Sequence, residues 1–236
     1  MKIGIFGDSF AVHYPWQQPR TAWANVLEDK FKWNVTNYAW GATSLFWTYK
    51  QLLSKINDVD IVILAITQRG RLYIPNPQLS PSGLGTFGTV SNRIANIDKN
   101  HSEYEIFNAA YQYFVHLSND DFDEYVHSKL VDDIKKVCLD QNKRLILIPG
   151  FDEDVSSQDI FQMPLVHVSA AECHANFKKH YVKEVPTRTC HMTDENNSIL
   201  ADLLDQILRG ARTTVELREF NFDKLSDPSS QWDLTL

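Results

Sequence analysis

The sequence predicts an α/β protein in which a parallel β-sheet is covered by helices on both faces. Short apolar runs with almost no polar alternation recur along the chain, as is typical of strands buried on both sides of a sheet. Segments with apolar residues at helical spacing separate these runs, and this alternation favours a parallel sheet. Hydrophobic residues make up 43% of the 236 residues and charged residues 22%, which is typical of a folded globular domain.

Five apolar runs are predicted as strands and five segments as helices. The strands cover residues 2–6, 33–39, 60–66, 143–150 and 164–170. The helices cover residues 21–31, 44–56, 103–117, 120–142 and 193–210. Residues 69–100 are rich in Pro, Gly and Ser and predict a long loop. Loops of this length in a compact domain are usually functional or disordered rather than simple connectors.

The pattern predicts one domain over residues 1–210 and a C-terminal extension or arm over residues 211–236. This arm is the candidate contact for a protein partner or an oligomer. The net charge of −7 leaves no basic footprint for nucleic acid, and no apolar stretch approaches the roughly 20 residues of a membrane span. A strand at the very start leaves no room for a signal peptide, and the three cysteines lack metal-ligand spacing; both indicate cytoplasmic synthesis.

Distinctive polar residues and glycines follow the predicted strands where each one ends. Gly7-Asp8-Ser9 follows the first strand, Gly41 the second and Gln68 the third. Ligands of parallel sheets bind beyond the carboxyl ends of the strands, so a site is expected there. The residues alone leave alternatives open: Ser9 is a helix N-cap or a nucleophile, Gly41 a turn residue or an N–H donor, and Gln68 an amide donor or an exposed loop residue.

The order and spacing of these blocks resemble the SGNH hydrolases, also called the GDSL esterase/lipase family. The resemblance covers residues 1–210 and includes His191, just before the last predicted helix. The stretches GDSF, GATSL and CHMTDEN are similar in particular to members encoded by bacteriophages. The resemblance implies a flavodoxin-like, three-layer α/β/α fold with a five-stranded parallel sheet.

The resemblance also implies hydrolysis of a carboxylic ester without a metal or an organic cofactor. Ser9 is then the nucleophile and His191 the general base. The backbone N–H groups of Ser9 and Gly41, together with the Gln68 side chain, form the oxyanion hole. The expected substrate is a small-molecule or glycan ester, for instance an O-acetyl group of a polysaccharide. Arg69 and Trp40 are the candidates for substrate contact.

Two departures from the family pattern keep a second hypothesis open. Gln68 stands where the family has the Asn of Gly-x-Asn-Asp, and Arg188 stands three residues before His191, where the family has the Asp that orients the imidazole. The alternative is a catalytically impaired SGNH-like module with a structural, receptor-binding or glycan-binding role, for instance in a phage virion. Ser9 Oγ within hydrogen-bond reach of a His191 ring nitrogen would favour the enzyme.

Overall fold

The computed structural model describes residues 1–12, 22–41, 43–73, 86–149, 194–213 and 215. Within these residues lie four strands and six α-helices, which are listed here in chain order by type. The strands are β1 (Lys2–Phe6), β2 (Asn34–Asn37), β3 (Ile61–Ile66) and β4 (Arg144–Pro149). The helices are α1 (Trp23–Asp29), α2 (Leu45–Lys55), α3 (Phe87–Asn96), α4 (Tyr104–His116), α5 (Asp120–Asp140) and α6 (Asp194–Leu208), and a 3₁₀ turn (Ile56–Asp58) follows α2.

The four strands form one parallel sheet in the order β2-β1-β3-β4. The chain therefore runs outward from β1 to β2, crosses back to β3 and continues outward to β4. This order confirms the predicted α/β fold with a parallel sheet, within the part of the chain that is described. The candidate fifth strand at residues 164–170 lies outside the described residues. The reversal places the topological switch point between β1 and β3, where ligands of open α/β sheets bind.

One face of the sheet packs against α1 and α6. Ile63 on β3 points to this face together with Ile5 on β1, and both are fully buried. Trp23 and Leu27 of α1 and Leu204 of α6 close the layer. A fully buried side chain of this size stabilises the fold by about 1.5–3 kcal/mol relative to an exposed one.

The opposite face packs against α2 and α5. Leu64 on β3 points to this face and contacts a layer that includes Leu52 of α2 and Ile134 of α5. All six residues of β3 are buried, with alternate side chains entering the two layers. Burial on both faces is the physical reason why the strand is a continuous apolar run in the sequence.

The long loop predicted at residues 69–100 is partly wrong, because α3 lies within it. Val90 of α3 is fully buried against Phe107 and Ala110 of α4, and Ile94 packs against the same small cluster. Val90, Ile94 and Ile97 have the spacing of one helix face. The helix is therefore stabilised by packing against α4, which the Pro- and Gly-rich segment before it concealed.

Asp205 of α6 joins two elements at the edge of the first layer. Its Oδ1 accepts hydrogen bonds from Trp33 Nε1 at 2.8 Å and from Arg209 Nε at 2.9 Å. Burial by itself would raise the pKa of Asp205, but the hydrogen bonds from Arg209 and Trp33 outweigh burial and hold that pKa below its ordinary value of 3.8. A lowered folded-state pKa stabilises the fold at neutral pH, and this stabilisation is lost as the pH falls through the folded-state pKa.

We therefore expect Asp205→Asn to lower the free energy of unfolding by about 1–2 kcal/mol at neutral pH. The difference from wild type should shrink as the pH falls from the ordinary value of 3.8 through the lowered folded-state pKa, below which Asp205 of the folded wild-type protein is also protonated. Urea unfolding over a pH series measures both effects. Asp202→Asn is the control, because its partner Lys30 is exposed and the pair contributes less than about 1 kcal/mol. A loss that does not change with pH would contradict the prediction.

None of the described helices is both long enough and apolar enough to cross a membrane.

At the end of α6, Gly210 has a φ of +75°, the left-handed conformation in which helices commonly end.

Candidate active site

A sharp turn follows β1 and carries Ser9. Gly7 has a φ of +138°, and a Cβ at this position would lie 2.6 Å from the Ala65 carbonyl oxygen of β3. Only glycine fits this backbone, so the close approach of β1 to β3 requires Gly7. Ser9 itself is half-buried. We refer to residues 7–12 as the nucleophile turn.

The nucleophile turn is held by hydrogen bonds from its own backbone and from two other elements. The Asp8 carbonyl accepts bonds from the N–H groups of Ala11 and Val12 at 3.0 and 3.1 Å. Trp23 Nε1 of α1 donates to the Phe10 carbonyl at 2.8 Å, and Asn37 Nδ2 at the end of β2 donates to the Ala11 carbonyl at 2.7 Å. The backbone around Ser9 is therefore fixed from both sides.

Asp8 is fully buried directly before Ser9. Its Oδ1 accepts a hydrogen bond from the Phe10 N–H at 3.1 Å, so the Asp8 side chain ties the turn. Its Oδ2 faces the end of β3, where Thr67 Oγ1 lies at 3.0 Å and Arg71 Nη1 at 2.9 Å. Asp8 and Arg71 form a buried ion pair that the sequence did not predict.

A second segment runs beside the nucleophile turn, and we call it the Gly41 loop (described residues 38–41 and 43). The Trp40 N–H donates to the Gly7 carbonyl at 3.1 Å, which places the loop against the nucleophile turn. The hydroxyl of Thr43, which is almost fully buried, donates to the Trp40 carbonyl at 2.9 Å. The Trp40 side chain itself is 55% exposed. Gly41 thus lies at the carboxyl end of the sheet, as Ser9 does.

The segment after β3 contributes one buried, one half-buried and one exposed side chain. Thr67 is buried, Gln68 is half-buried, and Arg69 is 46% exposed and pairs with Glu124 Oε2 of α5 at 3.0 Å. An exposed pair of this kind is weak, so Arg69 is not fixed by it. The structure brings the segments of Ser9, Gly41 and Gln68 to the carboxyl ends of β1, β2 and β3, and it directs Arg69 towards α5.

Sequence reasoning missed three residues of this region: Thr67 as a contact of Asp8, Arg71, and His127. His127 of α5 is buried and donates from Nε2 to the Thr67 carbonyl at 2.9 Å. A signal for His127 existed, because it shares the buried stripe of α5 with Val131 and Ile134. Nothing in the sequence singled out Arg71, since its partner Asp8 is distant along the chain.

Other sequence-predicted residues lie outside the described part of the chain. His191 and Arg188 are among them, so the predicted contact between Ser9 and His191 stays a prediction. Within the described ranges, no group of three or more His, Cys, Asp or Glu side chains is arranged to hold a metal ion. Cys138 is a buried free thiol of α5, and burial raises its pKa to about 11, which makes it a poor nucleophile at neutral pH.

By structure, the chain is similar to several ester hydrolases. An acetyl xylan esterase, AlAXEase, is 11% identical with a TM-score of 0.46, over 88% of this chain and 100% of that one. The psychrotrophic esterase EstA from Pseudoalteromonas sp. is 9% identical with a TM-score of 0.46, over 89% and 98%. A carbohydrate esterase is 12% identical with a TM-score of 0.43, over 88% and 68%. No family model and no curated protein matches the chain. At these values, the chemistry of the site has to be inferred from the residues of this chain.

Proposed function

We propose that the protein is a divergent SGNH-type serine hydrolase that cleaves a carboxylic ester, with Ser9 as its nucleophile. The observation that carries the proposal is the position of Ser9, half-buried in a fixed turn at the β1/β3 switch point of a parallel sheet. A serine that served only to cap a helix would need neither a glycine at positive φ two residues before it nor the buried ion pair at Asp8.

In the proposed reaction, Ser9 Oγ attacks the acyl carbon and its proton passes to His191, the base that the family resemblance assigns. The carbonyl oxygen becomes an oxyanion, which the backbone N–H groups of Ser9 and Gly41 and the Gln68 amide stabilise. Collapse of this intermediate releases the alcohol, which takes the proton from His191. Water then attacks the acyl–Ser9 ester and gives a proton to His191. Collapse of the second intermediate releases the carboxylic acid and Ser9 Oγ, which takes the proton back from His191.

We further propose that the base works as a Ser–His dyad, because Arg188 stands where the family has its orienting Asp. In serine proteases, loss of the orienting carboxylate function lowers kcat by about 10⁴. Turnover is therefore expected to be slow relative to an enzyme with the complete triad. A backbone carbonyl can hold the required imidazole tautomer in place of a carboxylate.

We propose an O-acetyl group on a polysaccharide as the substrate class, on the basis of exposed aromatic side chains beside the Gly41 loop. Trp40 is 55% exposed, and Phe46 at the start of α2 is 40% exposed. Tyr73 packs edge-to-face on Phe46 with ring centroids 4.9 Å apart, and its hydroxyl accepts a hydrogen bond from Lys50 Nζ at 2.9 Å. Flat, amphipathic rings of this kind give a sugar ring a face on which to stack.

Trp40→Ala is expected to raise KM about tenfold for an acetylated oligosaccharide and to leave a small activated acetyl ester unaffected, because only the sugar would use the indole face. Steady-state kinetics on both substrates separate the two effects. Leu139→Ala is the matched control, since Leu139 is exposed at the end of α5 beside the start of β4, at the opposite edge of the sheet. Equal effects on both esters would contradict sugar stacking.

Covalent labelling tests the nucleophile directly. A fluorophosphonate should form one Ser9 Oγ–P bond with loss of fluoride, which intact-protein mass spectrometry detects as a single addition that maps to the peptide of Ser9. The label should be absent from Ser9→Ala and retained by Ser54→Ala, whose hydroxyl is exposed on α2. Wild-type protein that reacts at another residue would refute Ser9 as the nucleophile, and wild-type protein that does not react would overturn the proposal in favour of a binding module.

A further inference from the structure

We propose that Arg71 is a positioning residue that clamps the nucleophile turn to the Gly41 loop and so sets the oxyanion hole. This inference deepens the proposed function and rests on it. It concerns a residue that does not touch the reacting atoms and acts through Asp8 and Thr43.

The contacts of Arg71 connect the two segments that carry the proposed oxyanion donors. Its Nη1 lies 2.9 Å from Asp8 Oδ2 in the nucleophile turn and 3.3 Å from the Thr43 carbonyl in the Gly41 loop. The Arg71 side chain is only 8% exposed, and the Asp8 side chain is fully buried. One guanidinium nitrogen therefore bridges the residue before Ser9 and the residue two positions after Gly41.

Thr67 makes the same two contacts from the end of β3. Its hydroxyl oxygen lies 3.0 Å from Asp8 Oδ2 and 3.2 Å from the Thr43 carbonyl. A hydroxyl has one proton, so it donates to one of these acceptors at a time, whereas the guanidinium has five N–H groups in a fixed plane. Arg71 is thus the group that can hold both acceptors together.

The backbone of the segment explains why two neighbouring arginines have different roles. Gly70, between Arg69 and Arg71, has a φ of +71°, the left-handed conformation that favours glycine. The chain turns sharply there, so that Arg69 lies on the surface against Glu124 while Arg71 enters the buried cluster.

The positive charge of Arg71 has a second effect on the proposed reaction. A buried carboxylate one residue from the nucleophile would oppose the negative charge that develops on the oxyanion. The guanidinium at 2.9 Å offsets the charge of Asp8 at that position. Arg71 therefore has two effects. It fixes the distance between the nucleophile turn and the Gly41 loop, and it offsets the repulsion between the Asp8 carboxylate and the oxyanion.

The test measures kcat and KM for a small activated acetyl ester in the full-length protein. Arg71→Met should lower kcat about 100-fold and leave KM within about twofold, because displacement of reacting groups by about 1 Å has a cost of this size. Arg71→Lys should recover part of the loss, since it restores the charge but not the two-point geometry. A purely structural role would not divide the effect between kcat and KM in this way.

The double variant Asp8→Asn/Arg71→Met keeps the test decisive if Arg71→Met alone does not fold. It removes both charges of the pair, so no uncompensated carboxylate is left buried. It should fold and still show the reduced kcat. The matched control is Arg144→Met, which removes an arginine that donates to the Ile207 and Leu208 carbonyls at the opposite edge of the sheet. This control is expected to lower stability and to leave kcat unchanged.

The outcomes separate this inference from the proposed function. Wild-type turnover that does not depend on Ser9 overturns both. Ser9-dependent turnover with kcat within about threefold of wild type in folded Arg71→Met, or in the double variant, overturns the clamp alone. Hydrogen exchange gives an independent readout, because the N–H groups of residues 9–12, 40, 41 and 43 should exchange faster in Arg71→Met and not in Arg144→Met.

Discussion

Replacement of Ser9 by alanine is expected to reduce the hydrolysis of a small activated acetyl ester to the background rate. Ser9 Oγ forms the acyl–enzyme bond of the proposed reaction, and Gly7 before it and the buried Asp8 beside it hold that atom at the switch point. Removal of the nucleophile from a complete triad lowers kcat by about 10⁶, and the missing orienting carboxylate accounts for about 10⁴ of this, so Ser9→Ala is expected to lower kcat at least about 100-fold. Initial rates of purified wild-type and Ser9→Ala proteins measure the effect.

The fold should be unaffected by this substitution, because Ser9 is half-buried and its side chain belongs to neither layer of the core. Ser54→Ala, prepared identically, should keep the wild-type rate, since this exposed hydroxyl of α2 bonds only locally to the Gln51 carbonyl. A Ser9→Ala protein that retains more than about a tenth of the wild-type rate would assign the activity to another group and refute Ser9 as the nucleophile.

Gly7→Ala is expected to be among the most destabilising single substitutions in the described part of the chain. The new Cβ would lie 2.6 Å from the Ala65 carbonyl oxygen and 2.9 Å from the Ala65 Cβ, and both belong to the central strand β3. Ala65 pairs with Ile148 of β4, so a shift of either atom would disturb the sheet. The positive φ of +138° adds backbone strain of about 1–3 kcal/mol. Together these effects are expected to cost more than about 4 kcal/mol of unfolding free energy.

Gly210→Ala is the matched control for this prediction. Gly210 also has a positive φ, at +75°, but a Cβ there meets nothing within 4 Å. It should cost only the strain, about 1–2 kcal/mol. Urea unfolding of the two variants separates strain from collision. Costs within about 1 kcal/mol of each other would show that the Ala65 contact is relieved easily and that the β1 turn is not rigid.

The end of β3 contains one position, Gln68, at which the sequence departs from the SGNH family pattern that it resembles. The chain has Gln68 where the family has an Asn, and the next buried polar side chain of this segment is Arg71, in contact with Asp8. With the proposed Arg71 clamp, the spacing of the oxyanion donors depends on the Asp8–Arg71 ion pair. The two sets of kinetic variants, at Ser9 and at Arg71, address the chemistry and the geometry separately.

The sequence by itself determined the layout of the fold and the positions of its strand ends. β1 and β3 are recognisable as continuous apolar runs, because a strand that is buried on both faces lacks the alternation of apolar and polar residues. The candidate site residues Ser9, Gly41 and Gln68 could be named in advance, because glycines and polar residues directly after strands are a local pattern. Each of these features depends on a few neighbouring residues, so the sequence indicates their positions, although it left the roles of Ser9, Gly41 and Gln68 open.

The tertiary structure alone decided which distant groups meet. Asp8 pairs with Arg71 and Thr67 because β1 and β3 are neighbours in the sheet, and strand adjacency is a property of the whole fold. Helix α3 forms in a segment of loop-like composition because α4 offers Val90 an apolar surface to pack against. Local periodicity cannot encode such contacts, since their free energy comes from burial and pairing between segments that only the folded chain brings together.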